Sequence, residues 1–223
     1  MVRLSAVVMA HPKRTLMAKR LASRLVLSVV WDQHNSVWDT GRRALMAANP
    51  EATHHLVIQD DAVAPRGLVA ECERLLAYVP GETPVSLYMG RYRHQPRLFS
   101  MEGLVDQARK QGASFAVFGG PWWGVGVIVP VSHVDAIVAS GDRSKHPNYD
   151  IRIAQFYASR GIDCWYTLPS IVDHRAGASL VGRRGSRRHA MWRADGSLAA
   201  LNWEGGIITP SDLNLTRRFP ATP

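Results

Sequence analysis

Four short apolar runs, at residues 4–9, 26–31, 56–58 and 85–89, are separated by three stretches with helix-like spacing of apolar residues. Thr15 can cap the first helix, where Met17, Leu21 and Leu25 recur every four positions. The second spans 36–48, carries Trp38, Leu45 and Met46, and stops at Asn49-Pro50. The third opens after Pro65 and lines up Leu68, Val69, Cys72, Leu75, Leu76 and Val79. Strands alternating with helices predict an α/β fold: a mostly parallel, doubly wound central sheet flanked by helices. Ligands of such sheets bind beyond the carboxyl ends of the strands. His11, Asp32 and the pair Asp60-Asp61 each follow one of these runs.

The pair Asp60-Asp61 constrains the chemistry most. Two adjacent carboxylates at the end of the buried run His54-His55-Leu56-Val57-Ile58-Gln59 repel each other and lose hydration. A bound cation offsets both costs, and hard oxygen ligands at a strand end suit a divalent ion holding phosphates. The competing reading is a solvated turn, where Asp is favoured.

The second half is less periodic. Residues 115–129 read as strands around a Gly-Gly-Pro-Trp-Trp-Gly turn, followed by a helix capped by Ser132. Asn148-Tyr149-Asp150 leads into a helix over 151–159, and 162–167 is a strand. From Arg183 to Arg188 the chain is basic and irregular. The net charge of +9 favours a polyanionic partner such as nucleic acid, nucleotide-sugar phosphates or an anionic surface. Two cysteines, Cys72 and Cys164, form no metal or disulfide pattern and suit a reducing cytoplasm. The opening apolar run reads as a first strand rather than a signal peptide. The uncharged segment 113–132 is broken by glycines and prolines, so no membrane span is expected.

With these motifs in order, the chain resembles a GT-A-type glycosyltransferase, especially the short versions found in phage genomes. The resemblance covers roughly 4–182. It implies a Rossmann-like domain over 1–182, with a nucleotide-sugar half at 1–112, an acceptor-side half at 113–182 and a basic extension at 183–223. Gln59-Asp60-Asp61 stands where the family has its metal-binding Asp-any-Asp motif. The resemblance makes Asp61 and His174 ligands of Mn²⁺ or Mg²⁺ and puts Asp60 on ribose or sugar hydroxyls. It puts Asp32 on the donor nucleoside, His11 near the nucleotide, and Arg14 or Arg42 on the diphosphate. Val172-Asp173-His174 together with Ser179-Leu180-Val181-Gly182 matches the family's late signature. Asp150 matches the proton acceptor of inverting members, although Asp is also a favoured helix N-cap. Trp122 and Trp123 either line the sugar pockets or pack the wall.

The implied activity is metal-dependent transfer of a sugar from a nucleotide-sugar to a hydroxyl. The charge makes a hydroxymethylated pyrimidine in DNA the first acceptor to consider, reached by flipping the base. A virion protein or a glycan is the alternative acceptor. A DNA-binding protein without catalysis is the alternative of another class.

Overall fold

The computed structural model describes residues 2–90, 100–175 and 189–213. In chain order the first half comprises β1 (Leu4–Ala10), α1 (Thr15–Leu25), β2 (Ser28–Trp31), α2 (Val37–Met46), β3 (His54–Gln59), β4 (Ala62–Val63), α3 (Leu68–Leu75) and β5 (Val85–Ser86). The second half adds α4 (Met101–Gln111), β6 (Phe115–Phe118), β7 (Gly126–Pro130), α5 (Val134–Arg143), α6 (Tyr149–Ala158), β8 (Cys164–Thr167), β9 (Asp173–His174) and β10 (Ile207–Ile208).

Eight strands form one sheet in the order β10-β6-β8-β5-β7-β3-β1-β2, and β4 pairs with β9 apart from it. The α/β class with a largely parallel sheet is as expected: β1–β2, β1–β3, β5–β8 and β6–β10 are parallel. The sheet departs from simple parallel winding at two places, one of them the antiparallel pairing of β6 with β8. At the other, β5 does not lie beside β3; β7 is inserted antiparallel between them. All five residues of β7 are buried, which suits a central strand covered on both faces.

Alternation along β1 and β3 divides the core into layers. Val8, Leu56 and Ile58 pack with Leu21 and Leu25 of α1 and Leu68, Cys72 and Leu75 of α3. Val7, Met9 and Val57 point the other way, toward Trp38 and Leu45 of α2, Ile137 of α5 and Ile153 of α6. α4, an element beyond those expected, packs Leu104, Val105 and Ala108 on Phe118 and Tyr166.

Local details differ from expectation at the caps. Thr15 does not cap α1; its hydroxyl donates to the Pro12 carbonyl at 2.6 Å, while the His11 ring accepts the Lys13 N–H at 3.1 Å. The described part of the segment expected as an extension is packed into the fold. β10 runs parallel to β6, with Ile207 opposite Phe115, and Trp203 is 2% exposed. The basic run Arg183 to Arg188 and residues 179–182 lie outside the described residues. No helix among the described residues is long and apolar enough to cross a membrane.

Candidate active site at the strand ends

β1, β2 and β3 run parallel, so their carboxyl ends share one edge of the sheet. Backbone bonds continue the pairing past the strands: Asp32 N–H donates to Ala10 at 2.7 Å and Asp60 N–H to Met9 at 3.0 Å. The His11 N–H donates to Asp60 Oδ2 at 2.8 Å, and the His11 ring Nε2 stands 3.6 Å from Asp32 Oδ2. Asp32 Oδ1 accepts the N–H groups of His34 and Ser36 at 3.1 and 3.2 Å. His11, Asp32, Asp60 and Asp61 are therefore one connected group.

Asp60 and Asp61 are buried, each 5% exposed. The cation they call for is in part internal. Arg14, in the turn Pro12–Arg14, reaches back with one guanidinium nitrogen 3.0 Å from Asp60 Oδ1 and in contact with Asp61 Oδ2. Burial pushes the Asp60 carboxyl above its ordinary range, against the pull of the His11 N–H and Arg14. Burial also acts upward on Asp61, but His174 and Arg14 outweigh it and hold that carboxyl below its usual range.

His174 arrives from the far end of the chain by strand pairing. β9 pairs antiparallel with β4, which puts His174 opposite Ala62, directly after the acids. Arg175 N–H donates to the Asp61 carbonyl at 2.9 Å and locks the approach. The His174 ring makes its Nδ1 contact to the Arg175 carbonyl at 2.7 Å, so Nδ1 carries the proton. Nε2 then faces Asp61 Oδ2 at 3.3 Å. An imidazole lone pair aimed at a carboxylate oxygen is stable only with a proton or a metal cation between them.

The donor set fits a divalent ion. Asp61 Oδ1 is buried and has no hydrogen-bond partner, and His174 has the tautomer a metal ligand needs. Among the described residues no group of three His, Cys, Asp or Glu converges. Two protein ligands suffice for Mn²⁺ or Mg²⁺ when substrate phosphates and water complete the sphere. Binding there requires the Arg14 guanidinium to leave Asp61.

Asp150 approaches from the first turn of α6, against the loop between β6 and β7. The loop between β6 and β7 lies against the end of β3, where Gln59 N–H donates to Val125 at 3.0 Å. Asp150 Oδ2 accepts the Gly124 N–H at 3.2 Å, and Oδ1 accepts the Ile151 N–H at 2.9 Å. Asn148 occupies the N-cap position of α6 but makes no side-chain cap bond, so Asp150 in the first turn also serves the helix end through the Ile151 N–H. Burial raises the Asp150 carboxyl from 3.8 to about 6. Trp123 stands edge-on to Tyr88 and Tyr166, with centroids 6.4 and 5.5 Å away, and so forms a wall.

Arg42 is not brought to this group; its guanidinium pairs with Asp142 at 3.3 Å. Asp173 and His189 went unremarked as site neighbours in the sequence. Asp173 alternates with His174 along β9 and lines a cleft of 390 Å³ with Arg109, His189, Trp192 and Arg193. It accepts from His189 at 3.0 Å and the Ala190 N–H at 2.8 Å. No spacing in the sequence relates residues 173 and 189; the isolated bridges Gly90–Ala190 and Ser170–Arg193 hold the later segment beside β9.

No protein-family model matches this chain, and no curated protein matches it in sequence. Several solved structures are similar in chain course, among them these two. One is a Drosophila β-1,4-galactosyltransferase 7 mutant in complex with manganese, UDP-Gal and xylobiose. It is 8% identical, with 87% of this chain and 83% of that chain covered and a TM-score of 0.42. The other is a glycosyltransferase involved in glycosylation of the major capsid of PBCV-1. It is 9% identical, with 74% and 93% covered and a TM-score of 0.29.

Proposed function

We propose that the protein is a GT-A-type, metal-dependent glycosyltransferase that moves a sugar from a nucleotide-sugar to an acceptor hydroxyl with inversion. The observation that carries this reading is the delivery of His174 to Asp61 by the β4–β9 pairing, beside an Asp61 oxygen that is buried without a partner.

Asp61 and His174 would hold Mn²⁺ or Mg²⁺, which supplies charge neutralisation for a diphosphate leaving group. Asp32 Oδ2, beside the His11 ring at 3.6 Å, would take a ribose or base contact. Asp60, His11 and Arg14 bring hydrogen-bonding and cationic groups to the same strand ends. Asp150, ionised at neutral pH with a carboxyl near 6, accepts the proton of the acceptor hydroxyl. The hydroxyl oxygen bonds to the anomeric carbon as the bond to the diphosphate oxygen breaks. The proton stays on Asp150 and the electron pair leaves with the diphosphate.

The charge of +9 supports a polyanionic acceptor, of which a hydroxymethylated pyrimidine in DNA is our first choice. The test begins with thermal unfolding in Mn²⁺ and a panel of nucleoside diphosphates. We expect a higher melting temperature with one of them, lost in Asp61→Ala and kept in Asp150→Asn. Asp150→Asn should also abolish transfer from the matching nucleotide-sugar. A wild-type protein indifferent to every nucleotide would refute the reading and leave nucleic-acid binding without catalysis.

A further inference from the structure

The loop that carries Trp122, Trp123 and Gly124 is gripped by two buried phenols. The Tyr166 hydroxyl donates to the Gly120 carbonyl and accepts the Trp122 N–H at 3.2 Å. The Tyr149 hydroxyl donates to the Gly124 carbonyl. Tyr149 and Tyr166 are both 0% exposed. On its other side Gly124 donates its N–H to Asp150 Oδ2. Both backbone groups of Gly124 are thus held, one by each of two consecutive residues of α6. They belong to successive peptide planes, so the coupling is positional rather than electronic.

Gln59 completes the arrangement. Its side-chain Nε2 and the Tyr149 hydroxyl close on the same point, 2.9 and 2.8 Å from where a Gly124 Cβ would stand, and its backbone N–H donates to the Val125 carbonyl at 3.0 Å. There is no slack at the centre. That Cβ would also lie 2.6 Å from Tyr149 Cε1. At the other end of the loop a Cβ on Gly120 would lie 2.6 Å from the Ala154 Cα of α6.

We propose that Tyr149 is a positioning residue for Asp150, anchored by Gln59, and that it acts by fixing the Gly124 backbone from which Asp150 takes its orienting hydrogen bond. The proposal rests on Asp150 being the proton acceptor in the reaction proposed above. A proton acceptor must hold one carboxylate oxygen still while presenting the other, and misplacement by about 1 Å costs on the order of 100-fold in rate. Tyr149 sets that orientation from the same helix turn. Gln59 ties it to the strand that carries Asp60 and Asp61, so the two halves of the site share a fixed distance. The titratable groups acting on this centre are Tyr149 itself, Tyr166 of β8, and Asp61, whose charge reaches Tyr149.

The test is a carboxyl-carbon NMR titration of protein labelled at aspartate Cγ, in wild type, Tyr149→Phe and Gln59→Leu. Asp150→Asn identifies the resonance. Tyr149→Phe preserves the ring volume and removes only the hydroxyl. We expect the Asp150 midpoint to rise in Tyr149→Phe as the Gly124 bond slackens, and to rise less in Gln59→Leu. Transfer should fall roughly 10- to 100-fold in kcat, with the donor KM and the Mn²⁺–nucleotide thermal shift unchanged. A folded Tyr149→Phe with an unmoved Asp150 titration would overturn the proposal. If Tyr149→Phe fails to fold, an unmoved midpoint in Gln59→Leu overturns it instead. The titration needs no substrate. Wild type without transferase activity would therefore defeat the functional reading, while the midpoint shift still decides the role of Tyr149.

Discussion

Val26, a residue 89% exposed, holds φ 57° and ψ 50° just past the end of α1. A β-branched residue adopts this left-handed conformation at a cost of roughly 1–2 kcal/mol, and no buried contact offsets it. Val26→Gly should stabilise the protein by about 1 kcal/mol, read as a higher midpoint in urea. Asp150, the proton acceptor we propose, is a buried carboxyl whose ionisation costs stability. Its folded carboxyl, near 6, lies above the ordinary 3.8. The folded state therefore binds the proton more tightly, and this favourable contribution is full below the ordinary value and lost as pH rises through about 6. Asp150→Asn should match wild type in stability near pH 4 and exceed it at pH 7, as measured by thermal unfolding across that range. Arg14 is a third residue-scale case, since its one guanidinium pairs with both Asp60 and Asp61. Arg14→Gln should cost the metal-free protein about 3 kcal/mol by leaving buried carboxylates uncompensated. The same change should enlarge the Mn²⁺-induced rise in melting temperature, which calorimetry with and without the ion would show.

At the scale of elements, the first three strands and their helices were legible because each buries one repeating face. Met17, Leu21 and Leu25, or the run before Gln59, advertise their periods directly. Their strand ends were legible for the same reason, and with them the gathering of His11, Asp32, Asp60 and Asp61. α4 was not legible, because Leu104, Val105 and Ala108 form a narrow stripe among charged neighbours. The antiparallel insertion of β7 was hidden too, since strand direction leaves no mark in a uniformly apolar run. Arg14 as the internal counter-ion was hidden because a three-residue turn, not a periodic element, folds it back. The tie between α3 and the C-terminal segment was equally silent. The Trp203 indole donates to Glu71 Oε1 at 2.6 Å, and its ring lies 5.3 Å from that of Phe115. Trp203→Ala should cost about 3–5 kcal/mol in chemical denaturation, well above a typical surface change.

At the scale of the molecule, the surplus of nine positive charges bears on the acceptor. If that acceptor is a nucleic acid, transfer at subsaturating acceptor should fall steeply between low and moderate salt, because each phosphate contact releases counterions. A neutral glycan acceptor should give a nearly flat salt profile, so one titration in sodium chloride separates them. The position of β10 has a different consequence. It covers the outer edge of β6, whose backbone donors and acceptors would otherwise face solvent in a row. A chain cut before Trp203 would bare that row and the apolar ring of Phe115 beneath it. Two such chains can zip together through their open edges, so the shortened protein should self-associate before it unfolds.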